Sequence, residues 1–277
     1  MQGSILNIAA YRFVPVDNPP ALREWLLRQA EARGLKGTVL VAPEGLNLFL
    51  AGAEDDVRDF VDALRSDPRF APIVVKESWS SGVPFARLKV KLKREIIAFR
   101  REGIDPIHAP APAVSPSTLK RWLDVGHDDS GKPVLLLDTR NREEVAHGTF
   151  AGAITLPIDD FVQLADALEP ERARLAGATV VSFCTGGIRC EKAAPLLRDL
   201  GFGDVRQLDG GILGYFEREG GAHWQGSCFV FDERVALRPN LSPVVDGTAV
   251  DRAAGDDDER DQRAGSTPSS STSNSRA

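Results

Sequence analysis

The residues best equipped for chemistry lie in Cys184-Thr-Gly-Gly-Ile-Arg-Cys190, between the apolar run Ala178-Thr-Val-Val-Ser-Phe183 and the helix-like Glu191-Lys-Ala-Ala-Pro-Leu-Leu-Arg198. A cysteine at the end of a buried strand, followed by two glycines and a helix start, meets converging backbone N–H groups that favour a thiolate. Gly186 and Gly187 permit positive φ, so the chain is free to curl its amides inward around whatever the sulfur carries. Arg189 adds a permanent positive charge, expected at the rim. A phosphatase loop of the Cys-x5-Arg type would need arginine at position 190, which is Cys190. Thr185, Gly186, Gly187, Ile188, Arg189 and Cys190 therefore make a smaller cradle, suited to a persulfide or another small sulfur-borne group.

The elements around this loop fall into blocks. Residues 1–95 alternate β and α patterns: strand-like Ile5–Phe13, a helical run from Ala21 to Arg33 after Asn18-Pro-Pro20, and strands Gly37–Ala42 and Asn47–Ala51. A second helical pattern, Asp55 to Ser66, and later strands around Ile73–Glu77 and Ala86–Lys93 complete a βαββαβ unit of the ferredoxin-like α+β class. Residues 96–116 form a proline-studded linker, with too many missing N–H groups for helix or sheet ladder. Residues 117–225 alternate helices with short apolar strands such as Val134–Asp138 and Thr179–Phe183, the mark of a doubly wound parallel sheet. Residues 226–242 read as an extension packing on that core. Residues 243–277 are Asp-, Ser- and Gly-rich without apolar periodicity and read as a disordered tail.

Composition narrows the setting. A chain of 277 residues that is 42% hydrophobic can bury more than one core, and no run approaches the roughly 18 apolar residues of a membrane span. The start, Met1–Ala10, lacks the basic region and cleavage site of a signal peptide. Three cysteines argue against a disulfide scaffold, so the expected compartment is the cytoplasm. Cys190 reads either as a small residue packing its helix on the sheet or as a resolving thiol, and Cys228 reads as packing. His108, His127, His147 and His223 are isolated, so no metal site is expected; no glycine-rich fingerprint supports a flavin or nicotinamide.

The strand Arg87-Leu-Lys-Val-Lys-Leu-Lys93 alternates strictly, placing Arg87, Lys89, Lys91 and Lys93 on one face. Cations about 6.6 Å apart can follow a phosphate backbone, and Lys76, Arg94, Arg100 and Arg101 add to the same basic region. An edge strand guarded against aggregation would carry the same lysines. The net charge of −6 does not oppose nucleic acid, because from Asp246 onward seven acidic residues face four arginines.

Further motifs resemble known families. Asp138-Thr-Arg-Asn-Arg-Glu-Glu-Val with Gly148–Pro157, and Gly201–Gly211, are similar to the opening and closing signatures of rhodanese domains. Adding Cys184–Ala193, Val41-Ala-Pro-Glu-Gly-Leu-Asn47, Lys91–Ile97 and Gly226–Val235, the chain resembles the rhodanese-containing tRNA uridine(34) hydroxylases of the UPF0176 group over nearly all of residues 5–238. The resemblance implies an acylphosphatase-like N-terminal domain followed by a rhodanese-like one. It implies a tRNA-modifying oxidoreductase that uses molecular oxygen as co-substrate to convert wobble uridine 34, in the anticodon loop, to 5-hydroxyuridine. Cys184 would be its catalytic residue, carried as a persulfide. A rhodanese sulfurtransferase passing sulfur from Cys184 to a thiol or cyanide is the alternative.

Overall fold

Alternation decides the first sheet. In the computed structural model, which describes residues 4–244, Leu6, Ile8 and Ala10 of Ile5–Phe13 (β1) are buried in an apolar core, while Asn7, Ala9 and Tyr11 point to the opposite face. The same core takes Val39 and Val41 of Lys36–Ala42 (β2) and Leu46, Leu48 and Leu50 of Gly45–Ala53 (β3). Helices Pro19–Ala32 (α1) and Glu54–Arg65 (α2) cover it with Leu22, Leu26, Phe60 and Leu64. The side chain of Asn18 caps α1 by accepting from Ala21 N–H at 3.0 Å, and prolines occupy the first turn, where no N–H partner is lost.

Strands Val75–Ser80 (β4) and Leu88–Leu92 (β5) complete a five-stranded sheet ordered β4-β1-β3-β2-β5. The first four strands have the expected ferredoxin-like arrangement; β5 is one strand more, parallel to β2 at the edge. Register sets Lys76, Ala9, Phe49, Thr38 and Lys89 in one row across the face turned away from the helices. Tyr11, Asn47, Leu40 and Lys91 form the next row.

The proline-rich segment corrects an expectation. Ala113–Val114 (β6) does join a ladder, parallel to Asp204–Leu208 (β11). Missing N–H groups are no obstacle, because the carbonyls of Pro112 and Val114 accept from Gln207 and Asp209 at 3.0 and 2.9 Å.

The second sheet is parallel, ordered β6-β11-β10-β7-β9, with Thr179–Phe183 (β10) at its centre beside Val134–Asp138 (β7) and Ile154–Thr155 (β9) at the edge. One face packs Val180 and Leu137 under Ile188–Asp199 (α7), and the other packs Val181, Phe183 and Leu136 under Pro116–Val125 (α3) and Gly211–Glu219 (α8). The largely apolar composition of β7 and β10 follows from burial on both faces. The short helix Arg142–His147 (α4) follows β7, with strand Gly148–Phe150 (β8) after it and the short helices Leu164–Leu168 (α5) and Arg172–Leu175 (α6) between β9 and β10. Cys228, Phe229, Ala236 and Leu237 of the extension are buried, and Val244 N–H still bonds Ala236 O at 2.9 Å. The expected disordered tail lies, from residue 245 onward, outside the described residues.

Candidate active site

The Cys184 loop joins β10 to α7, and its backbone turns onto the sulfur. Gly187 N–H donates to Cys184 Sγ at 3.1 Å, with Gly187 at φ +101. Burial by itself would push the Cys184 thiol up. The Cys190 thiol, the Arg189 charge and the N–H groups of Arg189 and Gly187 outweigh burial and hold it below the ordinary thiol value. Cys190 is correspondingly pushed up, by burial and by donating to Cys184, and burial pushes Cys228 to about 12. Of the three cysteines, Cys184 alone is shifted toward the thiolate.

Arg189 is not the exposed rim charge expected of it. It is 6% exposed, and both arms hold Glu144 at 2.6 and 2.7 Å, with Thr185 Oγ1 also donating to Glu144 at 3.2 Å. A buried guanidinium needs such a bidentate partner. Glu144 also accepts from Asn141 N–H at 3.2 Å, and so ties the start of α4 to the loop.

From the other side, α8 braces the loop. Ile212 N–H donates to Cys184 O at 3.0 Å and Leu213 N–H to Thr185 O at 3.1 Å, so unpaired helix N–H groups take up the loop carbonyls. The approach is close enough that a Cβ on Gly211, at φ +62, would lie 2.5 Å from Cys184 O and 2.7 Å from Gly187 N. Gly211→Ala is expected to cost about 2–4 kcal/mol through αL strain and this clash. It should also slow iodoacetamide labelling of Cys184 near pH 7; urea titration and labelling rates measure the two effects.

The loop faces a recess that is partly open to solvent. Together with the helix-free face of the first sheet it walls a cavity of about 300 Å3, lined by Tyr11, Asn47, Phe49 and Lys76 of the sheet, by Cys184, Gly186, Ile188 and Arg189, and by Phe161, Leu213 and Phe231. Three separated sequence motifs close the seam. Lys192 Nζ, 2% exposed, binds Glu44 at 2.9 Å, Glu95 at 2.8 Å and Ile97 O at 3.1 Å, and Tyr11 Oη donates to Glu191 at 3.1 Å. Arg234 of the extension donates to Ser78 Oγ at 2.7 Å.

Residues 5–96 match the UPF0176 acylphosphatase-like domain and residues 115–218 the rhodanese-like domain. A tRNA uridine(34) hydroxylase of Xanthomonas campestris pv. campestris (strain 8004) is 58% identical over 245 residues, spanning 88% of this chain and 97% of the relative. The tRNA uridine(34) hydroxylase of Variovorax paradoxus (strain S110) is also 58% identical, over 91% of this chain and 95% of its own length. The chain belongs to the tRNA uridine(34) hydroxylase family. Among solved structures, the human single-domain sulfurtransferase TSTD1 is 32% identical with a TM-score of 0.33, covering 39% of this chain and 98% of its own.

Within this hydroxylase framework the residues expected from sequence divide into two groups. Cys184, Thr185, Gly186, Gly187, Ile188, Arg189 and Cys190 are together, with all but Cys190 reaching or flanking the cavity. Arg87, Lys89, Lys91, Lys93 and Arg94 lie on and beside the edge strand, free of ion-pair partners among the described residues. Lys76 departs from the basic surface expected of it: it is 7% exposed and lines the cavity. Sequence reasoning missed Glu144, Tyr11, Asn47 and Phe49. Their signal was alternation, since Tyr11, Asn47 and Phe49 occupy the positions of β1 and β3 that do not face the helices. Among the described residues no group of three or more His, Cys, Asp or Glu side chains is placed to hold a metal ion.

Proposed function

We propose that this chain is a tRNA uridine(34) hydroxylase whose Cys184 thiolate acts on a uracil ring held in the cavity between its two domains. The observation that carries this is the wall opposite Cys184, which the N-terminal sheet supplies in a chain of this family. A sulfurtransferase needs only the rhodanese-like loop; a nucleobase enzyme needs a pocket with flat apolar walls, and Phe49, Phe161 and Phe231 provide them. The base has to leave the anticodon-loop stack to enter such a pocket.

Arg87, Lys89, Lys91, Lys93 and Arg94 would track the RNA backbone. Lys89 is two strands from Phe49 in the same row, roughly 10 Å, so a backbone over β5 lets one base reach the cavity. Molecular oxygen is the co-substrate the hydroxylation calls for. The cytoplasm is where such a protein meets tRNA, and no helix among the described residues is long and apolar enough to cross a membrane.

Nucleoside mass spectrometry of tRNA from a deletion strain tests the activity. Loss of 5-hydroxyuridine at position 34, restored by the gene, is the expected result; an unchanged level in a strain without a redundant pathway refutes it. For the basic strand, changing Lys89, Lys91 and Lys93 together to alanine should weaken tRNA binding and flatten the log affinity against log salt slope by about 2, at ~0.7 per contact. An unchanged slope would leave these lysines only the role of guarding an edge.

A further inference from the structure

An ammonium group taken out of water without a partner is costly, so an unpaired lysine in a cavity wall points to a ligand. Lys76 on β4 is 7% exposed and lines the cavity that Cys184 faces. Its Nζ makes no hydrogen bond or ion pair among the described residues and lies 5.7 Å over the Tyr11 ring. Burial pushes its pKa down, while the Cys184 thiolate, Glu217, Asp209 and Glu191 pull it back up.

The surrounding wall restricts what the ammonium can meet. Phe49, Phe161, Leu213 and Phe231 are apolar, and Arg189 already spends both arms on Glu144. A phosphate there would face, among the described residues, a single free cation and lose its water. A flat neutral ring carrying carbonyl oxygens keeps its faces against the aromatics and needs one donor at its edge.

We propose that Lys76 is a substrate-contacting residue, donating a hydrogen bond to a carbonyl oxygen of the uracil ring held beside Cys184. The contact rests on the hydroxylase function proposed above. Where the oxygen is O4, the same donor rejects cytidine, whose C4 amino group is itself a donor.

The test uses full-length enzyme and ligated tRNA carrying uridine, 4-thiouridine or 2-thiouridine at position 34, since sulfur is the weaker acceptor. Wild-type enzyme should react several-fold more slowly with one of the two thio substrates. Lys76→Met should hydroxylate uridine about 10- to 100-fold more slowly and no longer distinguish that thio substrate, whereas Lys76→Arg should retain part of both. Should the methionine variant fail to fold, the arginine variant, which shifts the charge without removing it, carries the same comparison.

A methionine variant with full activity overturns the contact. So does one that weakens binding of all three RNAs equally with a shallower salt slope, which would assign Lys76 to a phosphate. Wild-type enzyme inactive on uridine overturns the hydroxylase function and the contact together; wild-type activity with an indifferent Lys76 overturns the contact alone.

Discussion

Cys184→Ser is expected to reduce uridine hydroxylation at least about a thousandfold while changing folding stability by about 1 kcal/mol or less. The asymmetry follows from the site. The sulfur borders the cavity, so the smaller serine oxygen leaves little new void in the packed core, yet it is the thiolate facing that cavity. Neither neighbour can substitute: Cys190 and Cys228 do not line the cavity and are held as thiols. Single-turnover nucleoside mass spectrometry reads the activity, and urea titration reads the stability. Iodoacetamide near pH 7 should label Cys184 in the wild type and leave Cys190 and Cys228 unlabelled. A serine variant keeping a tenth of the activity would remove the cysteine from the chemistry.

Glu144→Ala should destabilise the fold by about 3–5 kcal/mol, because it strands the Arg189 guanidinium in a site that is 6% exposed. It also frees the loop from α4, by removing the acceptor shared by Arg189, Thr185 and Asn141 N–H. The second readout moves the other way. With the compensating carboxylate gone, the arginine's charge acts on Cys184 undiminished, so the midpoint of Cys184 alkylation should shift to lower pH than in the wild type. A variant as stable as the wild type, or an alkylation midpoint moved upward, would contradict the pairing. Glu144→Gln should lie between the two, since an amide keeps some hydrogen bonds but not the charge.

The local parts of this site were readable along the chain. A strand, a cysteine, two glycines and a helix start are consecutive residues, so backbone geometry alone brings N–H groups to the sulfur, and Gly187 N–H is found there. The alternation in β1 and β3 also marks which side faces the helices, and it is the signal that sequence reasoning passed over at Tyr11, Asn47 and Phe49. Charges misled where their partners were distant in sequence. Arg189 was expected at the rim because its partner, Glu144, stands 45 positions away. Lys76 was grouped with the surface lysines because its own strand does not reveal which domain will cover that face.

Two properties of this protein are therefore already set in its sequence: an α+β domain joined to a parallel α/β domain, and a cysteine loop built to hold a thiolate. Both rest on periodicity and turn chemistry, which act over a few residues. That the thiolate faces a pocket walled by the other domain was decided only by tertiary structure. Docking brings Lys192 onto Glu44 and Glu95, and Tyr11 onto Glu191, across separations in sequence that no local rule spans. Those buried polar contacts carry specificity of orientation, and through them the face bearing Phe49 and Lys76 becomes the far wall of the Cys184 cavity.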